Sequence, residues 1–249
     1  MTLALRVRPI LVPLGSFGLL LLGLAVWQLC SGLTFVIPSV PDTIDAVFSS
    51  LGDPDYLHDL RATFTRVLLA CAIGVTVGVI LGVALGYSPR VRAAVEPLIV
   101  AMNSVPKIIL YPLLLPIFKV GMTSQVIMGV IHAVFPMLIM VTGAVAHMPT
   151  TYRKLGRALG ASQLQVLTRI TLPAVRRSIL TGTRLGVSLA TIGVILAEFF
   201  TTEDGLGRVM KQAYQFAQYE RLMASVLLLL LFCFLVSFAV WNLERRLPE

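Results

Sequence analysis

Charge is scarce in this chain. Only 13% of its 249 residues are Asp, Glu, Lys or Arg, about half the ~25% usual in soluble domains. Hydrophobic residues make up 57%, and the mean hydropathy is +0.89. A water-soluble fold could not hide that much apolar side chain, which excludes an ordinary globular domain. A nucleotide-binding phosphate loop is also missing: nowhere do two glycines flank four residues ahead of Lys and Ser/Thr. Six spans of roughly 20 residues would use about half the chain, and an ATPase domain of ~200 residues would not fit in the remainder. The chain therefore cannot be an ATPase alone. Cysteine is rare, and Cys30, Cys71 and Cys233 lie in or beside apolar runs without metal-ligand spacing. No Ser/His/Asp set or paired carboxylates share a loop, which argues against an integral-membrane enzyme.

What is present is a series of long apolar runs. They predict an all-α, polytopic membrane protein with six transmembrane helices in a single domain, 1–249. The spans are 9–30, 61–87, 93–118, 121–147, 176–200 and 221–243. The first follows Arg6 and Arg8, is long for a signal peptide and lacks a small-residue cleavage site, so it reads as a retained helix. The third is interrupted by Pro106, Pro112 and Pro116. Between spans one and two, Pro41 and Asp42 open a short helix carrying Ile44, Val47 and Phe48 on one face.

The net charge of +8 has a topological reading. Arg6, Arg8, Arg90, Arg92, Arg153, Lys154, Arg157, Arg169, Arg176, Arg177, Arg245 and Arg246 fall on one side. Lys119, Arg208, Lys211 and the edge residues Arg61 and Arg221 fall on the other. Twelve against five places both termini in the cytoplasm, and the excess of positive charge then needs no nucleic-acid partner.

Residues 148–175, between spans four and five, contain no acid. Leu155, Leu159, Leu164 and Leu167 recur at near-helical spacing, Gly160 breaks the run, and Ala161 and Ser162 can start a second short helix. Composition leaves two readings open: a docking element for a cytoplasmic partner, or an amphipathic interfacial loop.

This loop resembles that of the ABC importer permeases. Their cytoplasmic motif is Glu-Ala-Ala, three residues, Gly, nine residues, Ile, any residue, Leu and Pro. Here Gly160, Ile170, Leu172 and Pro173 stand in register, while Lys154, Leu155 and Gly156 replace Glu-Ala-Ala. Ile37-Pro38-Ser39-Val40-Pro41, Pro106-Lys107 with Pro112-Leu113, Thr181-Gly182-Thr183-Arg184-Leu185, Ala197-Glu198 and Gly205-Leu206-Gly207 resemble the nitrate/sulfonate/taurine-like branch. The resemblance implies an ABC importer permease fold in a bacterial cytoplasmic membrane, multi-pass. It implies a second permease copy in a homodimer, two ATPase subunits and an extracytoplasmic solute-binding protein. No cofactor is then bound by this chain, and ATP and Mg belong to the partner ATPase subunit. The cargo would be a small, anionic organic solute moved by alternating access. Leu159, Gly160, Ala161, Ser162 and Leu164 would form the ATPase-coupling element, and an extracytoplasmic loop, 201–220, would carry a short helix and meet the binding protein together with the 38–56 loop. The competing class is a secondary transporter or channel working without an ATPase. It would be favoured by inverted repeats and several intramembrane acids. No clear repeat is found, and Glu198 is the only acid well inside a span.

Individual residues carry narrower expectations. Gly74, Gly78, Gly82 and Gly86 lie at intervals of four and predict close helix packing. Lys107, after Asn103 and the kinking Pro106, costs at least ~2.5 kcal/mol at mid-membrane and should face a cavity or partner. It reads as a pathway residue guiding an anion, or as a structural partner of a carbonyl or carboxylate; Asn103, Lys107 and Glu198 are the pathway candidates. His132 reads as a packed side chain, and Arg184 as a snorkelling one. Arg66 in span two and Glu198 in span five share a depth in the outer half of the bilayer, so an intramembrane pair is expected.

Overall fold

The second apolar run starts earlier than its hydropathy indicates. Asp53 caps the helix by accepting from the Asp55 amide at 3.0 Å, and Pro54 occupies the first turn. The result is a 34-residue helix, Pro54–Tyr87, rather than a span beginning at 61. The computed structural model that shows this describes residues 11–200 and 204–246. Arg6, Arg8 and the first three residues of the 201–220 segment lie outside the described residues. Among the described residues there are eleven α-helices and no strand.

In chain order the helices are α1 (Leu11–Ser31), α2 (Val40–Leu51), α3 (Pro54–Tyr87), α4 (Pro89–Ser104), α5 (Tyr111–Phe118) and α6 (Met122–Ala146), followed by α7 (Thr150–Ala158), α8 (Gln163–Val166), α9 (Leu172–Phe200), α10 (Leu206–Gln215) and α11 (Tyr219–Arg245). Helices α3, α6, α9 and α11 are long and apolar enough to cross a membrane. The chain is a multi-pass membrane protein.

Packing of α3, α6 and α9 forms the core, where Val67, Ala70, Ala133, Val187, Ala190 and Val194 bury one another. The glycine face of α3 decides how close α6 comes. A methyl built on Gly74, Gly78, Gly82 or Gly86 would lie 2.6, 2.7, 2.8 or 2.5 Å from the Cβ of Ala133, Met137, Val141 or Val145, respectively. Both rows advance by four, so the two helices interlock over four turns.

The third apolar run is sharply broken rather than gently kinked. Helix α4 ends at Ser104, a tight turn covers Lys107–Leu110, and the axis bends by 90° before α5. Pro106 lacks the amide that would continue α4, and it holds Val105 in an extended conformation (φ −71°, ψ 134°). Pro112 falls in the first turn of α5, where a missing amide costs nothing.

The fifth run is longer than read from hydropathy. Helices α8 and α9 are joined by a widened π-turn, Leu167–Thr171, giving a 38-residue rod, Gln163–Phe200. The Leu172 amide bonds back to the Leu167 carbonyl, five residues earlier, so the chain passes Pro173 without breaking. Tyr87, at the end of α3, shares a hydrogen bond with Thr171 and ties that turn to the core.

The glycine face yields a stability prediction. Gly82→Leu should destabilise the detergent-solubilised chain by about 1–3 kcal/mol, the usual cost of overpacking. Gly143→Leu, at a position with no atom within 4 Å of an added Cβ, should leave the thermal melt unchanged.

Candidate functional site

The end of the bundle that carries α2 and α10 holds a buried polar network. Asp59, Thr63 and Arg66 lie four and three residues apart along α3, so they share one helix face. Opposite them, Glu198 projects from the end of α9. Glu198 is fully buried, and the Arg66 side chain is 5% exposed. Arg66 Nη1 donates to Glu198 Oε1 at 2.8 Å, and the Thr63 hydroxyl donates to the same carboxylate at 2.8–2.9 Å. Arg66 also donates to the Asp204 carboxylate and, at 3.3 Å, to the Asp204 carbonyl.

These side chains are aimed at the start of α10. Its first amides need acceptors, and Gly205 offers no side-chain cap. Asp59 Oδ1 accepts from the Gly205 amide at 2.7 Å, Thr63 Oγ1 from Leu206 at 2.8 Å, and Glu198 Oε2 from Gly207 at 3.0 Å. Two carboxylates and a hydroxyl from other helices thus cap α10, where the helix dipole also favours negative charge. Arg208 donates to Asp59 Oδ2 at 2.6 Å and balances the second carboxylate. The glycines are sterically required. Gly205 has φ +106°, and a Cβ there would collide with the Glu198 carboxylate. A Cβ on Gly207 would strike the Ile195 carbonyl and Glu198 Cβ.

A second layer reinforces the attachment. Arg221 of α11 pairs with Asp53 at 2.9 Å, and the Tyr56 and Ser225 hydroxyls share a hydrogen bond of 2.9 Å. Tyr56, Leu206, Val209 and Leu229 form the apolar floor below.

The broken span presents a second arrangement. Lys107 Nζ donates to the Asn103 carbonyl at 3.0 Å and to Asn103 Oδ1 at 3.2 Å, and it lies 5.2 Å from the centre of the Phe135 ring. The ammonium group therefore caps one of the last carbonyls of α4, which have no intrahelical partner. His132 is buried, with Nδ1 2.9 Å from the Met128 carbonyl. Arg184 pairs with Glu244 at 3.3 Å.

At the opposite end, α7 closes with the Ala161 amide bonded to the Gly156 carbonyl at 2.9 Å, the six-to-one bond of a left-handed helix stop. Gly160 supplies the required φ of +69°. Ser162 then starts α8 through a reciprocal cap with Gln165, its amide donating at 2.8 Å and its hydroxyl accepting at 3.3 Å. Leu159, Gly160, Ala161, Ser162 and Leu164 meet at this corner, with Leu159 75% and Leu164 69% exposed. Gly156 is buried, and a Cβ there would come within 2.9 Å of Val166 and 3.0 Å of Ile170, so the small residue lets α7 lie against the π-turn.

The structure thus brings together Arg66 with Glu198, Asn103 with Lys107, and the five loop residues. Sequence reasoning missed Asp59, Thr63, Asp204 and Arg208. Asp59 precedes the second apolar run, and the spacing of Asp59, Thr63 and Arg66 on one helix face is the signal available in the sequence.

Residues 74–248 match the family described as binding-protein-dependent transport system inner membrane component, and the chain belongs to it. It is 27% identical to the taurine transport system permease protein TauC of Escherichia coli over 241 residues, covering 93% of this chain and 88% of that one. It is 26% identical to the nitrate import permease protein NrtB of Synechocystis over 201 residues, 77% of this chain and 73% of that one. The fold is similar to a chain of the MetNI methionine ABC transporter in an inward-facing form, with a TM-score of 0.69, 18% identity, and coverage of 78% of this chain and 96% of that chain. The protein is accordingly a permease subunit of an ATP-driven importer.

The buried pair gives a coupled prediction. Arg66→Gln alone should destabilise the purified chain by about 3–5 kcal/mol, because it leaves the buried Glu198 carboxylate uncompensated, and Glu198→Gln should cost less, because Asp204 still pairs with Arg66. The double substitution should cost clearly less than the sum, read from thermal melts of all four proteins.

Proposed function

We propose that this permease works as one of two identical copies, with two ATPase subunits and an extracytoplasmic solute-binding protein, in a bacterial cytoplasmic membrane. The observation that carries the reading is the corner at Leu159, Gly160, Ala161, Ser162 and Leu164. It exposes apolar side chains, and it stands at the foot of a 38-residue rod that runs through the core to the buried network. In this account residues 148–175 are the coupling loop. ATP and Mg bind the ATPase subunits, the closing ATPase dimer moves α7 and α8, and the rod carries that motion into the spans.

In the proposed orientation the α7–α8 end and both termini are cytoplasmic, as the bias in Lys/Arg favours. Counting α1 and the bent α4–α5 pair as one span each gives six. The α10 end, with the 38–56 loop and the 201–220 segment, is then the docking face for the binding protein. The cargo is a small anionic organic solute; the name of the taurine relative supports an organic sulfonate, and that of the nitrate relative supports an anion. Asn103 and Lys107 line its pathway at the break in the third span. Glu198, buried among its partners, serves that pathway through Arg66, as a pair that holds α3 and α9 in one access state.

Two measurements check the account. In proteoliposomes containing the assembled transporter, Ala161→Trp should abolish ATP-driven uptake while the permease is still recovered from the membrane at normal levels; normal uptake would refute the coupling role. In a variant with the three cysteines replaced by serine, Tyr214→Cys on α10 should react with an impermeant thiol reagent from outside intact cells, and Leu159→Cys only after the membrane is opened. The reverse pattern would invert the orientation.

A further inference from the structure

One cleft, built around the Arg184–Glu244 pair, lies apart from the α10 network and the coupling corner. Arg177 and Arg184, seven residues apart on α9, line it together with Trp241, Glu244 and Arg245 at the end of α11, around a volume of about 270 Å³. Glu244 is already engaged: Arg184 reaches its Oε2 at 3.3 Å and the Thr181 hydroxyl donates to its Oε1 at 3.2 Å. Arg177 and Arg245 have no acidic partner among the described residues. Three guanidinium groups against one carboxylate leave an excess of positive charge in the cleft.

The cleft continues into an apolar stripe. Phe234, Phe238, Trp241 and Arg245 are spaced by four, three and four residues, so they fall on one face of α11. Phe234 and Phe238 stack with centroids 6.0 Å apart, Phe238 and Trp241 lie 5.7 Å apart, and the Arg245 guanidinium sits 4.2 Å from the Trp241 ring. Both phenylalanines are exposed. A tryptophan between an apolar stripe and an arginine marks the depth where acyl chains give way to head groups.

We propose that this cleft is a binding site for an anionic phospholipid, with the phosphate held between Arg177 and Arg245 and an acyl chain laid along Phe238 and Phe234. The orientation proposed above puts the site in the cytoplasmic leaflet. Arg184 is held by Glu244 and stays out of the phosphate contact. Charge complementarity selects an anionic head group over a zwitterionic one, and the aromatic stripe selects a lipid over free phosphate.

The test is lipid retention, which is read without any transport assay and so stands or falls apart from the permease reading. The full-length chain is purified in mild detergent, given an equal mixture of phosphatidylglycerol and phosphatidylcholine, and analysed by native mass spectrometry. Wild type should retain phosphatidylglycerol preferentially. At roughly fivefold per basic residue at a membrane surface, Arg177→Gln combined with Arg245→Gln should reduce that preference by about 25-fold. The double lysine variant should keep most of it, and Arg92→Gln, on α4, should keep all of it. Equal retention of the two lipids by wild type, or unchanged preference in the double glutamine variant, would overturn the proposal. So would displacement of the lipid by millimolar inorganic phosphate, which would make this a plain anion site. Ready disulfide formation between two copies carrying Phe238→Cys would also overturn it, by giving the stripe to the second permease.

Discussion

The start of α10 poses the constraint on which the rest of the structure depends. Its first amides must find acceptors, no side chain of its own provides one, and the surrounding bundle is apolar. Asp59 and Thr63 of α3 and Glu198 of α9 supply the three acceptors. Two carboxylates buried this way would be costly alone, so Arg66 and Arg208 accompany them. Once these groups are fixed, α3 and α9 are fixed in register with each other. Gly205 and Gly207 then follow, because any larger residue would occupy the space of the Glu198 side chain or the α9 backbone.

From that anchor the two long helices carry geometry to the other end. Helix α3 brings α6 close through its glycine face, and α6 packs in turn on α9. Helix α9 continues through the π-turn into α8, so the rod that carries the buried Glu198 carboxylate begins at the exposed corner that follows Gly160. The Tyr87–Thr171 hydrogen bond ties the lower part of that rod to α3. In a π-turn one carbonyl lacks its usual intrahelical partner, and this one lies between the loop and the core, a common place for a helix to adjust. The departure from the family motif falls at the same junction. Gly156, in place of the second Ala of the motif, lets α7 approach Val166 and Ile170, while Lys154 remains exposed.

Much of this was legible in the sequence, for identifiable reasons. Long apolar runs located α6, α9 and α11. Glycines at intervals of four located the tightest contact, and the break at Gly160 followed from turn chemistry. Depth alone suggested Arg66 opposite Glu198, since both charges had to be satisfied at a similar level in the membrane. Boundaries were less legible. Hydropathy stops where the membrane core stops, whereas α3 continues to its cap at Asp53, and α9 runs back through a proline that the π-turn accommodates. The angle at Pro106 was beyond reach as well, because a missing amide predicts a kink but not its size. Asp59 falls outside the apolar run that marks the second span. Its role depends on the Gly205 amide, 146 residues away.

Hydrogen exchange at the Gly205, Leu206 and Gly207 amides tests the central claim most directly. In the intact chain all three should be strongly protected, although α10 lies at an end of the bundle. In Thr63→Val, which removes one acceptor and one donor while keeping the side chain's shape, protection of all three should fall together, because the network holds the α10 start as a unit. Rapid exchange in the intact protein, or loss confined to Leu206 in the variant, would contradict the account.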